Sequence, residues 1–358
     1  MRTYKNFCII CILFLLSLVV FNLVVWHGFT KQLLTREDGY MVGDLARMGY
    51  LPRHIDRRKN AVDLPRRHFE ITEYTGQTID VITLGDSFSH GLGLGNNRFY
   101  QDYLASLSDL NVLNLQPYSG AKNYLEVIAI LLNSGYLAEL KPRYVLLEMV
   151  ERSCVSRLDE PVDFTITDTL EKSRSFYNNG TAIFNNTGDL PETSYFNTGN
   201  LKFLLYNIGY LFSDHAFSGK VYRTSLRESL FSGAHGNELL FVDKDLRKLK
   251  SVNSEVVTKI NDNLNELARR LKSHGIELIF MPPPNKYTLY RRFLADDSYP
   301  QSFFFEELRP LPKEYQFIDT KEILDRELDR GEMDIYYKDD THWSWKASKA
   351  IFEQVRLP

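Results

Sequence analysis

Two short stretches at opposite ends of the chain carry residue types that together do acyl chemistry. Val81-Ile82-Thr83-Leu84 is an apolar, β-type run that stops at Gly85-Asp86 and presents Ser87. Asp339-Asp340-Thr341-His342-Trp343 gathers two carboxylates and an imidazole just before a final helical pattern. A serine hydroxyl is a poor nucleophile until a base takes its proton, and that base needs a carboxylate to fix its tautomer. All three parts are present, so these residues read as an enzyme's.

The elements that must hold them alternate. Ile79 to Leu84, Asn111 to Leu115, Tyr144 to Val150 and Gly275 to Met281 read as strands, with Phe317-Ile318 as a short fifth. Between them lie helical patterns over Arg98 to Leu107, Lys122 to about Leu140 and Glu255 to Lys272, and a last one from Trp345 to Val355. Strands alternating with helices of this length imply parallel βαβ units, and the expected fold is a three-layer α/β/α sandwich around a mostly parallel sheet. Active sites in such sheets lie at the carboxyl ends of the strands, where Ser87, Gly120, Arg152 and the loop after Met281 all fall. Between Cys154 and Leu249 the pattern dissolves into turn clusters, Asn178-Asn179-Gly180, Asn185-Asn186-Thr187-Gly188 and Asn197-Thr198-Gly199-Asn200. That stretch reads as an insertion of turns and short strands, a lid or a partner surface.

A chain of 358 residues, 44% of them hydrophobic, can bury one large core or two modest ones. A formal net charge of −3 gives no global reason for nucleic-acid binding. Cys8 and Cys11 lie in an apolar stretch, which leaves Cys154 without a disulfide partner in the folded part. Histidines 54, 68, 215, 235 and 274 show no metal-ligand spacing, and neither a metal nor another cofactor is expected.

The apolar stretch, Phe7 to Phe29, runs for about 23 residues without a charge, long enough to span a bilayer. The alternative is a cleaved signal peptide, but Trp26-His27-Gly28-Phe29 offers no small-x-small cleavage site. The expected organisation is a short cytoplasmic head (1–6), a signal anchor (7–29) and a basic tether (30–75). Then come a first catalytic part (76–155), the insertion (156–245) and a second catalytic part (246–358). Charges flanking the span are nearly balanced; the short head is the easier part to leave in the cytoplasm, which puts the rest outside. Arg47, Arg53, Arg57, Arg58, Lys59, Arg66 and Arg67 make the tether either a solvated spacer or a patch facing anionic headgroups or glycan.

Gly85-Asp86-Ser87-Phe88-Ser89 after a strand resembles the nucleophile block of the SGNH (GDSL-like) hydrolase superfamily. Pro117-Tyr118-Ser119-Gly120-Ala121, and Pro142-Arg143-Tyr144-Val145-Leu146-Leu147-Glu148 after a long helix, resemble its second and third blocks. Tyr336-Tyr337-Lys338-Asp339-Asp340-Thr341-His342-Trp343, with Pro282-Pro283-Pro284-Asn285-Lys286-Tyr287 after the fourth strand, is similar to the AlgJ/AlgX branch of alginate O-acetylation proteins. The resemblance covers roughly residues 76–155 and 245–355.

It implies Ser87 as nucleophile, His342 as general base and Asp340 as the orienting acid. Asp339 is the alternative acid, because the wider superfamily places its aspartate three residues before the histidine. The oxyanion hole would use the backbone N–H groups of Ser87 and Gly120. Ser87 is also expected near a helix start, whose dipole favours a developing anion. Where the superfamily supplies an asparagine to that hole, the chain has Arg152, which could serve the oxyanion or grip an anionic glycan. Asp86 reads as a brace for the turn. Lys286, Trp343 and His90 are candidates for substrate contact, each with a structural alternative.

The resemblance further implies acetyl transfer to an exported or cell-surface polysaccharide through acetyl-Ser87, the donor arriving from a membrane-embedded acyltransferase partner. A carbohydrate acetylesterase uses the same triad with water as acceptor. A glycan-binding scaffold that keeps the fold without chemistry is the third reading.

Overall fold

The computed structural model describes residues 2–34, 42–56, 62–91, 97–115, 117–118, 121–178, 194–217 and 219–357. The strands are β1 (Phe69–Glu70), β2 (Val81–Leu84), β3 (Val112–Leu115), β4 (Tyr144–Glu148), β5 (Val221–Ser225), β6 (Glu238–Val242), β7 (Glu277–Met281) and β8 (Gln316–Phe317). Six of them form one sheet in the order β1-β3-β2-β4-β7-β8, every pairing parallel. The helices that matter below are α1 (Arg2–Val25), α2 (Asp44–Met48), α3 (Tyr100–Ser108), α4 (Tyr124–Asn133), α5 (Glu151–Arg157) and α6 (Thr198–Gly209). With them go α7 (Asp243–Leu249), α8 (Ser254–Lys272), α9 (Lys286–Tyr290), α10 (Thr320–Asp329) and α11 (Trp345–Gln354).

The inner strands are buried on both faces, which is why they read as continuous apolar runs. Successive side chains alternate between two cores. Ile82, Leu84, Leu113, Val145, Leu147 and Phe280 face the layer built by α4 and α8. Val81, Val112, Leu146, Ile279 and Met281 face α3, α9, α10 and α11. The molecule is the expected α/β/α sandwich. Its order puts β2 and β4 side by side at the centre, so the chain leaving β2 meets the end of β4.

Local differences have local causes. The helical pattern from Lys122 to Leu140 breaks after Asn133, where Gly135 takes a left-handed φ of 82° and a short helix, Tyr136–Leu140, begins anew. The insertion is not only turns and short strands: its described residues include a helix at Leu170–Asn178, α6, and the antiparallel hairpin β5–β6. Asn197-Thr198-Gly199-Asn200 reads as a turn because Asn and Gly favour turns, yet Asn197 caps α6, its side chain accepting the Asn200 N–H at 3.2 Å. The cluster at 185–188 lies outside the described residues.

The tether is the larger departure. Of residues 30–75, the described part is no solvated spacer: Leu45, Leu51 and His54 are buried, and β1 pairs with β3 at the sheet edge. Arg66 bonds Asp109 and Asn111, and Arg67 pairs with Glu73; Arg57, Arg58 and Lys59 lie outside the described residues. Ahead of this, the helical stretch Thr3–Leu34 is long and apolar enough to cross a membrane; protein buries almost none of its most apolar part, but covers Val25, Trp26, Thr30 and Leu33 toward its end.

Candidate active site

Ser87 follows β2 by way of a turn that only glycine can enter. A Cβ at Gly85 would overlap the Ser89 hydroxyl and the Glu148 carboxylate. Glu148 ends β4 beside that turn, and its Oε2 accepts the N–H of Asp86 (3.1 Å), the N–H of Ser89 (3.0 Å) and the Ser89 hydroxyl (2.8 Å). Burial, reinforced by the nearby Asp86 charge, pushes the Glu148 carboxyl well above the usual range. Asp86 ties the turn the other way, accepting the Phe88 N–H (3.2 Å) and, from beyond β4, the Val150 N–H (3.0 Å). The expected helix start after Ser87 is a single turn, closed by Ser89 N–H and His90 N–H on the Asp86 carbonyl. Among the described residues, which here end at Gly91, that one turn has too few aligned peptides to build a helix dipole at the serine.

His342 comes from the loop before α11, whose start is capped by Ser344 accepting the Lys346 N–H. Its Nε2 lies 2.8 Å from the Ser87 Oγ, and its Nδ1 lies 2.5 Å from Asp340 Oδ1. Asp340 also accepts the His342 backbone N–H at 2.9 Å, so one carboxylate fixes both ring and main chain. With Nδ1 carrying the proton toward Asp340, Nε2 is the lone pair that faces the serine. Burial disfavours a charged ring, but the Asp340 charge and hydrogen bond, helped by Asp44, outweigh it and raise the His342 pKa above 6.5. Burial likewise opposes the Asp340 charge, and the imidazole reverses it, leaving Asp340 below the usual carboxylate range.

The two candidate acids have different tasks. Asp339 does not reach the histidine; its Oδ2 accepts the N–H of Gly43 (3.2 Å) and of Asp56 (2.9 Å). Its backbone carbonyl accepts the N–H of Leu45 and of Ala46. Asp340 Oδ2 takes the Asp44 N–H at 3.2 Å. The first amides of α2, which a helix leaves without internal partners, are thus spent on the Asp339-Asp340 loop. A side chain at Gly43 would overlap Asp339 itself. Asp44 returns the contact, accepting the Thr341 N–H (2.8 Å) and the Thr341 hydroxyl (2.6 Å).

The other singled-out residues sit as follows. Trp343 is no sugar platform: it is buried, edge-on to Phe88 with ring centroids 5.0 Å apart, and Phe88 in turn lies under the His342 ring at 4.8 Å. Lys286 neither lies on the surface nor faces a substrate. Its ammonium is buried and donates to the carbonyls of Tyr337 (2.7 Å), Lys338 (2.8 Å) and Asp340 (3.1 Å), so it shapes the loop that carries the acid. His90 is half-buried, and burial lowers its pKa to about 4, a neutral ring near Asp86 and Glu70. Gly120 lies outside the described residues.

Arg152 starts α5 with its guanidinium 3.4 Å from the buried Asp245 and 3.3 Å from the Asn285 side chain. It also lines a cleft of about 450 Å³ with Arg157, Lys244, Arg247 and Lys248. His54 and His235, far apart in sequence, converge on Glu238, with His54 Nε2 2.5 Å from its carboxylate and the two rings stacked. Sequence reasoning missed Asp44, Glu148 and the α7 cations. Only the acid closing the strand at Glu148 left a local signal.

Residues 237–356 match the family model described as SGNH hydrolase-like domain, acetyltransferase AlgX. The match holds Asp339, Asp340, His342 and Lys286, while Ser87 lies outside it and is joined to it by the sheet. A comparison with curated proteins finds no match. On this segment, and on the parallel sheet it completes, the chain is similar to the SGNH hydrolase-like domain of the AlgX type.

Proposed function

We propose that the chain is a membrane-anchored serine O-acyltransferase that acetylates an exported or cell-surface polysaccharide on the extracytoplasmic, periplasmic side. The observation that carries the reading is the relay from Ser87 Oγ to His342 Nε2 at 2.8 Å and from His342 Nδ1 to Asp340 at 2.5 Å. Ser87 attacks the acyl carbonyl of a donor while His342 takes the hydroxyl proton, and Asp340 stabilises the imidazolium that forms. Collapse of the tetrahedral adduct expels the donor's leaving group, which takes that proton. A sugar hydroxyl then gives its proton to His342 and attacks acetyl-Ser87, and the serine leaves reprotonated. The Ser87 N–H and that of Gly120, the pair that the family resemblance implies, would hold the oxyanion.

Two features support the remaining parts. The cationic cleft at Arg152 suits an acceptor bearing carboxylates. The apolar N-terminal helix, long enough to cross a membrane, suits an anchor in the inner membrane at residues 7–29. A membrane-embedded acyltransferase partner is the donor that such an anchored site can meet.

The test is mass spectrometry of the protein after exposure to an activated acetyl ester. One acetyl group is expected on Ser87, passed on when acidic oligosaccharides are added; Ser87→Ala and His342→Ala should gain none. Release of free acetate whatever the acceptor would make the chain an esterase. No acylation of the intact triad by any donor would leave a glycan-binding scaffold.

A further inference from the structure

Helix α6 is built inside out. Leu201, Leu204, Leu205, Ile208, Leu211 and Phe212 fall at helical spacing on one face and its continuation, and that face is exposed, Leu211 at 74% and Phe212 at 84%. The opposite face carries the polar residues and is packed. Asn207 donates to the Tyr50 carbonyl at 2.9 Å, and Tyr206 meets Tyr50 edge-on. A soluble domain hides its apolar stripe, and a contiguous one left outward marks a contact surface.

The start of α6 says which. Asn200 is fully buried, its carbonyl oxygen taking the Thr30 hydroxyl proton at 2.5 Å and its amide donating to the Asn22 side chain at 2.9 Å. Phe203 stacks on Phe29 at 4.7 Å. Asn22 stands about seven residues before the end of the uncharged run at Phe29, roughly 10 Å along a helix rising 1.5 Å per residue. Interfacial helices sit about 5–10 Å into the headgroup–acyl boundary. The pairing of Asn22 with Asn200 thus brings the start of α6 to the depth of that boundary. The helix carries one charge, Lys202, whose long stem can lift its ammonium to the headgroups.

We propose that α6 and its continuation through Phe212 lie in the outer surface of the bilayer, with the leucine stripe among lipid acyl chains beside α1. The inference rests on the reading of α1 as a membrane span. The domain is then seated on the membrane by two elements and not hung from one.

The test uses the full chain in phosphatidylethanolamine–phosphatidylglycerol vesicles, with the exposed Cys8 and the half-buried Cys11 replaced by serine. Single cysteines at Leu205, Ile208, Leu15 and Lys349 carry a nitroxide, and power saturation compares collision with oxygen, which partitions into lipid, against a water-soluble nickel chelate. Labels at 205, 208 and 15 should favour oxygen, and the label on α11 at 349 should favour nickel. Nickel contact at 205 and 208 with oxygen contact at 15 overturns the inference and spares the anchor. Nickel contact at 15 overturns the anchor reading. Shielding of 205 and 208 from both reagents would mean that protein, a second copy or a partner, covers the stripe, and would overturn it equally.

Discussion

His342 is flanked by two carboxylates of unequal role. Asp340 touches the ring, whereas Asp44 reaches it through Thr341 and by charge alone. Asp340→Asn should cost about 10⁴-fold in kcat, since the amide cannot hold the same tautomer. Asp44→Asn keeps an oxygen for the Thr341 N–H but removes one of the charges that raise the imidazole pKa. The base works only when neutral, so kcat/KM falls as pH drops through that raised value, and the acid limb lies above 6.5. In the Asp44→Asn variant this limb should move to lower pH with kcat on the plateau nearly kept; an unmoved limb would remove Asp44 from the electrostatics of the site. Arg152→Ala should weaken transfer to an acidic acceptor more than cleavage of a small neutral ester. Equal losses, of about 100-fold, would assign the guanidinium to the oxyanion instead. The serine, the histidine and both aspartates were legible because each sits in a short local motif. Asp44 was not, because its partner Thr341 lies 297 residues away and nothing in Val42-Gly43-Asp44 announces a contact.

At the scale of elements, the loop carrying Asp340 and His342 is held from two sides. Helix α2 spends its first amides on Asp339 and Asp340, and Lys286 collects the carbonyls of the same loop from α9. Burial, with the like charge of Asp340 beside it, pushes the Asp339 carboxyl from 3.8 to about 8. The folded state therefore keeps a proton that the unfolded chain has released. Stability from this group is fully present below about 4 and is lost as pH climbs toward 8. Asp339→Asn carries no such proton. Its melting temperature relative to the parent should rise with pH across that window, and a constant difference would show Asp339 to be ionised in the fold. The inner strands and the long helices were readable because burial on both faces, or on one stripe, imposes a period on the sequence. The edge strand β1 has two residues, too few for any period, and α2 is five residues long, so the segment holding them looked like a tether. The hairpin β5–β6 hid for another reason: its apolar strand Leu239 to Val242 runs straight into the charges of α7.

For the whole molecule, these contacts make the N-terminal region two things in sequence. Residues up to about 34 concern α6, and residues 42–56 concern the loop that carries Asp339, Asp340 and His342. Truncation separates them. Removing residues 1–30 strips Asn200 of its Thr30 and Asn22 partners and Phe203 of Phe29, while the leucine stripe stays exposed and α2 still holds Asp339 and Asp340. That protein should cleave a small acetyl ester at close to the parental rate, yet self-associate or sediment with vesicles. Removing residues 1–56 takes away Asp44 and the amides of Gly43 and Asp56. The Asp339 side chain and carbonyl then lose their partners, at about 1–3 kcal/mol for each buried group left unpaired. Ester cleavage should fall by at least about tenfold, the factor that 1.4 kcal/mol of lost positioning represents. Rates for the three proteins on one neutral ester decide the matter. If the shorter truncation is already inactive, the span is part of the catalytic fold. If the longer one keeps full rate, the docking of α2 is incidental to the chemistry, and the loop carrying Asp340 and His342 is held from the sandwich alone, chiefly by Lys286.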